Sequence, residues 1–275
     1  VEAPKTWEEF EAIAPKLKEA GYIPLAASQL TWMMVENFKS RNNQQFASNH
    51  NGYDGFDGTE MMVTDANQVM MFDKLKEWAD AGLYGFYGAG WADNQKPFEE
   101  GKVAMWIGSS GSFGGLQKTA TAPFSATFMP YWGAIEGAGT QSFIGGAALF
   151  AMSGKSNEEN ACTAAFFSYL TSPEVQVYYH KATGYVPITE AAYDLAKSQG
   201  YYDEQPVAEV GIQQLMLPGG EWSKGYRMGF YPQIRSVMER EFNRIFSGEV
   251  TPTQAFEVIE SEGNQLLAKF AKTAG

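Results

Sequence analysis

Val103-Ala104-Met105-Trp106-Ile107-Gly108-Ser109-Ser110-Gly111-Ser112-Phe113-Gly114-Gly115 is the stretch on which the fold turns. Five apolar residues in succession, Val103 to Ile107, read as a short buried strand. Gly108 breaks it, and small residues lead into a helical turn. A strand that stops in glycine and serine before a helix belongs to an α/β sheet. Such an edge exposes backbone N–H groups and hydroxyls that can hold an oxyanion without an ionic partner. An ordinary tight turn accounts for the same residues, because neither a Walker loop nor a dinucleotide fingerprint is present.

Strands and helices alternate outward from this stretch. Toward the N-terminus, Thr6 and Glu9 have capping-box spacing, and Trp7, Phe10, Ile13 and Leu17 follow at helical period until Gly21. Tyr22 to Ala27 reads as a strand and Trp32 to Phe38 as a helix. Asn42 to Gly58, rich in Asn, Gly and Asp, reads as a long loop. Asp65 and Gln68 cap a further helix that carries Val69, Phe72, Leu75 and Trp78 to Gly82. Toward the C-terminus, Phe124 to Met129 and Ala147 to Met152 are expected strands. Ser156 with Glu159, Ser172-Pro173, Pro232 and Thr251-Pro252 open four helices, and Gly184 closes the second of them.

Composition removes several function classes. The 20 Lys and Arg against 32 Asp and Glu give a net charge of −12, a field that repels nucleic acid and anionic membranes. With 44% hydrophobic residues and seven Trp, the 275-residue chain can bury a large core, so disorder is not expected. The single cysteine, Cys162, excludes an intrachain disulfide and is expected to be a buried structural thiol. His50 and His180 have no partners at metal-ligand spacing, so no metal or cofactor is expected. No apolar run reaches the roughly 20 residues that cross a bilayer. Val1 is not an initiator, and the N-terminus therefore says nothing of targeting.

Four other places invite a ligand. Gly145-Gly146 lets backbone approach one closely, or simply bends the chain into a strand. Arg235 stands in the first turn of the helix begun by Pro232, where the helix dipole disfavours a cation. It therefore wants an anionic partner: a phosphate held by a bidentate guanidinium, or a carboxylate in a surface ion pair. Tyr185 follows a helix stop, and its hydroxyl can project into a cleft. Trp32 can stack on a carbon chain. Core packing is the more ordinary reading of either ring. A nucleophile elbow is absent, no motif links either histidine to a serine, and Glu8-Glu9 and Glu99-Glu100 read as solvated caps. An enzyme is not expected.

Taken in order, short blocks along nearly the whole chain resemble the glycerol-3-phosphate-binding proteins of ABC importers. They are Pro4-Lys5-Thr6-Trp7, Glu36-Asn37-Phe38, Phe46-Ala47-Ser48, Phe56-Asp57-Gly58-Thr59, Ser109-Ser110-Gly111-Ser112, Ile144-Gly145-Gly146-Ala147, Thr183-Gly184-Tyr185-Val186-Pro187-Ile188-Thr189, Pro232-Gln233-Ile234-Arg235 and Gly263-Asn264-Gln265-Leu266-Leu267. The resemblance implies an α/β, periplasmic-binding-protein-like II fold: two lobes on a hinge, with most of the N-terminal lobe outside this chain. It implies a second lobe over residues 1–135, a hinge at 136–143, a returning part of the first lobe at 144–205, and C-terminal helices at 206–275 packing back on the second lobe.

Ser109, Gly146, Tyr185 and Arg235 fall on positions that contact the glycerophosphate in the family, Arg235 facing the phosphate, and Trp32 on one of two aromatics against the glycerol. Gln29 replaces the other aromatic and leaves room for a substituent on the phosphate. Capture of glycerol-3-phosphate or a glycerophosphodiester by a monomeric periplasmic (or membrane-tethered extracellular) protein, and its delivery to membrane permease subunits, is the implied function. An oligosaccharide binder of the same class is the alternative.

Overall fold

The computed structural model describes residues 2–274. Its sheet has three parallel strands, β1 (Ile23–Ala27), β2 (Tyr84–Gly85) and β3 (Val103–Ile107), in the order β2-β1-β3. Leu25 pairs with Tyr84 on one side and Met105 on the other. Pro24 to Ala27 are all buried, as an unbroken apolar run in a covered central strand requires. The expected strands at 22–27 and 103–107 are therefore present, and the short β2 is added to them.

Helix boundaries follow the capping chemistry. The Thr6 hydroxyl accepts the Glu9 N–H at the start of Trp7–Glu19. Asp65 accepts the Asn67 and Gln68 N–H groups at the start of Ala66–Asp80. Ser156 and Thr251 form full capping boxes for Asn157–Leu170 and Pro252–Ala271. The helix Pro173–Thr183 stops on Gly184, which adopts φ 89° in the left-handed region.

Two cores result. The larger joins Trp7, Phe10, Phe72, Trp78 and Trp132 to Phe242, Phe256 and Ile259 of the C-terminal helices Tyr231–Ser247 and Pro252–Ala271. Phe72 packs 4.5 Å from Phe242 and 4.9 Å from Phe256, centroid to centroid. The smaller unites Phe113, Val177, Ala192, Tyr201, Tyr202, Ala208 and Ile212. Helix Pro206–Leu215 thus packs with the segment that precedes it, while 231–271 packs on the sheet lobe.

Two expected strands are absent. Phe124 to Met129 pairs with no strand among the described residues, and side chains take the polar groups at its end: Gln214 Oε1 accepts the Met129 N–H at 2.6 Å and Arg41 Nε donates to the Met129 carbonyl at 3.0 Å. Ala147 to Met152 finds no neighbouring strand among the described residues and lies open, with Phe150 82% exposed. Cys162 is exposed rather than buried, because helix Asn157–Leu170 buries none of its residues against the rest of the described chain.

Arg41 links the sheet lobe to the stretch 129–140. Its side chain is buried, donates to the Met129 and Thr140 carbonyls, and lies over the Tyr131 ring. Burial pushes it down to about 10, and the nearby Tyr131 only partly opposes this. Replacing Arg41 by Ala strands those carbonyls without donors, at about 1–3 kcal/mol each. A loss of about 2–4 kcal/mol in urea denaturation is expected. A variant as stable as the parent would remove Arg41 from this role.

Candidate functional site

A cavity of about 680 Å³ runs along β3, from Ala3 and Pro4 past Gly101 to Ser109 and Tyr185. Its far end lies beyond the carboxyl edge of the strand, where open α/β sheets bind ligands. Trp32, Met33, Asn37, Ser109, Ser110, Gly145 and Tyr185 line that end. None of the lining residues is Asp, Glu, Lys, Arg or His.

The glycine-serine segment folds as a capped turn. Ser109 precedes the 3-10 turn Ser110–Ser112, and its Oγ accepts the Gly111 N–H at 3.1 Å. The Ser112 N–H goes to the Ser109 carbonyl at 3.0 Å and the Ser112 hydroxyl to Gln95 Oε1 at 3.0 Å. Two of the amides that a bare anion cradle would use are therefore occupied within the turn. The glycine at 111 serves Tyr185 instead. A Cβ there would stand 2.7 Å from the tyrosine ring, so only glycine lets the ring lie on this turn.

Tyr185 is held from behind. Its carbonyl accepts a hydrogen bond from His180 Nδ1 at 2.7 Å, and its ring stacks on Tyr179 at 5.9 Å. Since a carbonyl only accepts, Nδ1 carries the imidazole proton. Burial, with Lys181 adding to it, moves His180 below its usual value against the opposing Tyr185 hydrogen bond.

Trp32 rides on an unusual support. Thr31–Glu36 is a π-helix, a geometry that recurs at functional sites, and it continues as the α-helix Asn37–Arg41. Gln29, just before it, has φ 45°, and its carbonyl accepts the Trp32 and Met33 N–H groups. The Trp32 ring lies against Gly145, where a Cβ would stand 2.2 Å from it. Gly145, rather than Gly146, is the close approach of that pair. Gly146 has φ 143°, a conformation for glycine, and nothing within 4 Å of a Cβ.

Three of the five expected residues, Trp32, Ser109 and Tyr185, thus share one cavity wall, with Gly146 one residue off it at Gly145. Arg235 stands outside the wall. Its anionic partner in the structure is Glu36: Nε donates to Oε1 at 2.8 Å and Nη2 to Oε2 at 2.6 Å. The Tyr231 and Tyr226 hydroxyls donate to the same two oxygens at 2.8 and 2.9 Å. Glu36 is wholly buried, whereas the Arg235 side chain is 29% exposed. Glu36 adjoins Asn37, and Tyr226 packs 5.6 Å from Phe143, so two wall residues touch this cluster. Sequence reasoning assigned Glu36 no role. The signal was a lone carboxylate in the apolar run Trp32-Met33-Met34-Val35, which demands a buried donor.

A ligand-sized cleft at the carboxyl edge of a parallel sheet, lined also by Phe113 and Ala208 of the second core, is a small-ligand site of an α/β fold. Comparison with known proteins identifies the branch. The family model of bacterial extracellular solute-binding proteins matches residues 2–205, and the chain belongs to that family. The sn-glycerol-3-phosphate-binding periplasmic protein UgpB of Salmonella typhimurium is 37% identical over 98% of this chain. UgpB of Escherichia coli K12 is 36% identical over the same share. This chain spans 62% of the length of both relatives. A crystal structure of Mycobacterium tuberculosis UgpB with glycerophosphocholine superposes with TM-score 0.79 at 20% identity, over 97% of this chain and 64% of that one. Bdellovibrio bacteriovorus MalE bound to maltotriose gives 0.71 at 14% identity, over 96% and 67%. The two-lobed binding-protein fold is therefore present in part, and these relatives are solute-binding proteins.

His180 gives the site a pH signature. Its folded value lies below the unfolded value near 6.5, so the unfolded chain takes up the proton first. Its contribution is complete above about pH 6.5 and is lost as the pH falls below that. Thermal melts from about pH 7 to pH 5 should show a smaller drop in His180→Gln than in the parent. Equal drops would assign the acid sensitivity to other groups.

Proposed function

We propose that the protein captures glycerol-3-phosphate or a glycerophosphodiester outside the cytoplasm, in the periplasm or tethered to the outer face of a membrane, and delivers it to the permease subunits of an ABC importer. The single observation that carries this reading is the shared wall. Trp32, Ser109 and Tyr185, lying 76 or more residues apart in the chain, line one cavity at the carboxyl edge of β3. The names of the relatives support the ligand class.

In this reading Trp32 packs on the glycerol carbons, and the Ser109 and Tyr185 hydroxyls together with the backbone at Gly145-Gly146 bind its oxygens. Arg235 takes the phosphoryl group. Glu36 uses the Nε hydrogen and one Nη2 hydrogen of the guanidinium, which has five donors, so three remain for a phosphate. The protein acts as a binder and a monomer, and the ligand leaves unchanged. Residues 2–135, apart from Phe113 in the smaller core, form one lobe with the C-terminal helices from Tyr231, 136–143 the hinge, and 144–205 part of the other, which helix Pro206–Leu215 joins rather than packing back on the first. The open faces at Leu149, Phe150 and Met152 and on helix Asn157–Leu170 pack in the rest of that lobe. Closure of the lobes on the ligand makes the form that docks on the permease.

Calorimetry of the full-length polypeptide tests the site. Arg235→Ala should weaken glycerophosphocholine binding by roughly 2–5 kcal/mol, the range for removing one partner of a buried charged hydrogen bond. Unchanged affinity would take Arg235 out of the site. Competition between glycerol-3-phosphate and maltose separates this reading from an oligosaccharide binder, and displacement by maltose alone would overturn it. Gln29→Trp, which restores the second aromatic that the family resemblance implies, should lower affinity for glycerophosphocholine more than for glycerol-3-phosphate, by about tenfold. Equal changes would mean that Gln29 does not face the substituent.

A further inference from the structure

The carboxylate of Glu36 is costly to bury, and its surroundings are specific. Both oxygens are covered, and four donors from three residues converge on them: Nε and Nη2 of Arg235 and the hydroxyls of Tyr226 and Tyr231. A carboxylate with four acceptor sites is thereby filled. Tyr226 and Tyr231 are themselves packed at 4.5 Å, and Phe46 closes on both. The Arg235 guanidinium also lies over the Tyr231 ring at 5.3 Å. The fork is fixed along one edge and one face. Nη1, on the other side, has no hydrogen-bond partner among the described residues, and the side chain keeps 29% of its exposure.

This is more apparatus than stability requires. A buried ion pair seldom outperforms a well-packed apolar pair, because desolvation offsets most of the attraction. What a bidentate, doubly braced carboxylate adds is orientation. Glu36 is the last residue of the π-helix that carries Trp32, and it precedes the cavity residue Asn37. The π-helix therefore delivers the aromatic platform to the wall and, four residues on, the group that grips Arg235.

We infer that Glu36, braced by Tyr226 and Tyr231, is a positioning residue that fixes the Arg235 guanidinium so that its unpaired edge meets the phosphoryl group of the ligand. The assignment rests on Arg235 being the phosphate contact. Two mechanisms then make opposite forecasts for Glu36→Gln. If the carboxylate only neutralises Arg235, removing its charge frees a cation and anion binding tightens. If it positions Arg235, the Gln amide confronts the guanidinium with donor against donor, the fork loses its register, and binding weakens.

The experiment is a double-mutant cycle in the full-length polypeptide, with glycerophosphocholine and glycerol-3-phosphate as calorimetric probes. Glu36→Gln should weaken both by about tenfold, as outer-shell partners do for the groups they orient. In the Arg235→Ala background the same change should alter affinity by less than about twofold, because nothing is left to orient. Tyr226→Phe, which keeps the ring stack and removes one brace, should weaken binding about threefold in the same pattern, and it carries the test if Glu36→Gln does not fold. Parity or tighter binding in Glu36→Gln overturns the inference while leaving Arg235 in the site. An undiminished loss in the Arg235→Ala background reduces Glu36 to a structural part and overturns it as well. If Arg235→Ala itself binds like the parent, the phosphate-site reading falls and the inference with it.

Discussion

Burying the Glu36 carboxylate constrains most of the sheet lobe. An unpaired carboxylate in that position would be strongly unfavourable, so every donor around it must arrive in place. Those donors come from a loop residue, Tyr226, and from the first turn of helix Tyr231–Ser247. The C-terminal helix hairpin is thereby set on the lobe at one polar point, and the apolar contacts of Phe242 and Phe256 with Phe72 secure the rest. Burial pushes Glu36 upward, yet Arg235 and the two tyrosine hydroxyls oppose it, and four donors leave no oxygen free for a proton. Burial pulls Arg235 down, and the Glu36 hydrogen bonds and charge more than reverse this.

The same segment reaches residues 129–141. Immediately after the π-helix, Ser40 Oγ lies 2.8 Å from the Gln141 carbonyl and 2.9 Å from that of Ser223, and Arg41 takes the carbonyls of Met129 and Thr140. Thr140 Oγ1 donates back to the Ser40 carbonyl at 2.5 Å. Thirty to forty-one is thus one continuous element that presents Trp32, grips Arg235 and clamps 129–141. In the proposed reading, a movement of the chain beyond residue 141 would be levered against it.

Legibility in the sequence followed the range of the interactions. Caps act within four residues, and Thr6, Asp65, Ser156 and Thr251 announced their helices because hydroxyl or carboxylate and amide lie side by side in the chain. Strands 23–27 and 103–107 were legible as apolar runs, β1 because it is covered in a parallel sheet and β3 because it pairs along β1 and lines the cavity. Phe124–Met129 and Ala147–Met152 have the same local pattern but no ladder partner, which periodicity cannot reveal. Cys162 misled for a related reason: it sits in an apolar helix whose face nothing described covers. For the site, the odd placement of Arg235 correctly demanded an anion. That the anion within the chain is Glu36, 199 residues away, required the fold.

The glycine-serine turn teaches the opposite lesson about small residues. Its composition invites a reading as an anion nest, yet its amides are largely turned inward and its glycines make space for Tyr185 and for the backbone at Ala182, whose carbonyl a Cβ at Gly114 would meet at 2.5 Å. Close packing of two chain segments and close packing of chain on ligand make the same demand on side-chain volume. Here the first supplies the second. By bringing the 183–185 segment onto the end of β3, the glycines set a tyrosine and a serine side by side at the strand's carboxyl edge, facing a wall without charged side chains. In the proposed reading, an anion entering such a space would meet few competing charges, and the Arg235 guanidinium would set where its negative end points.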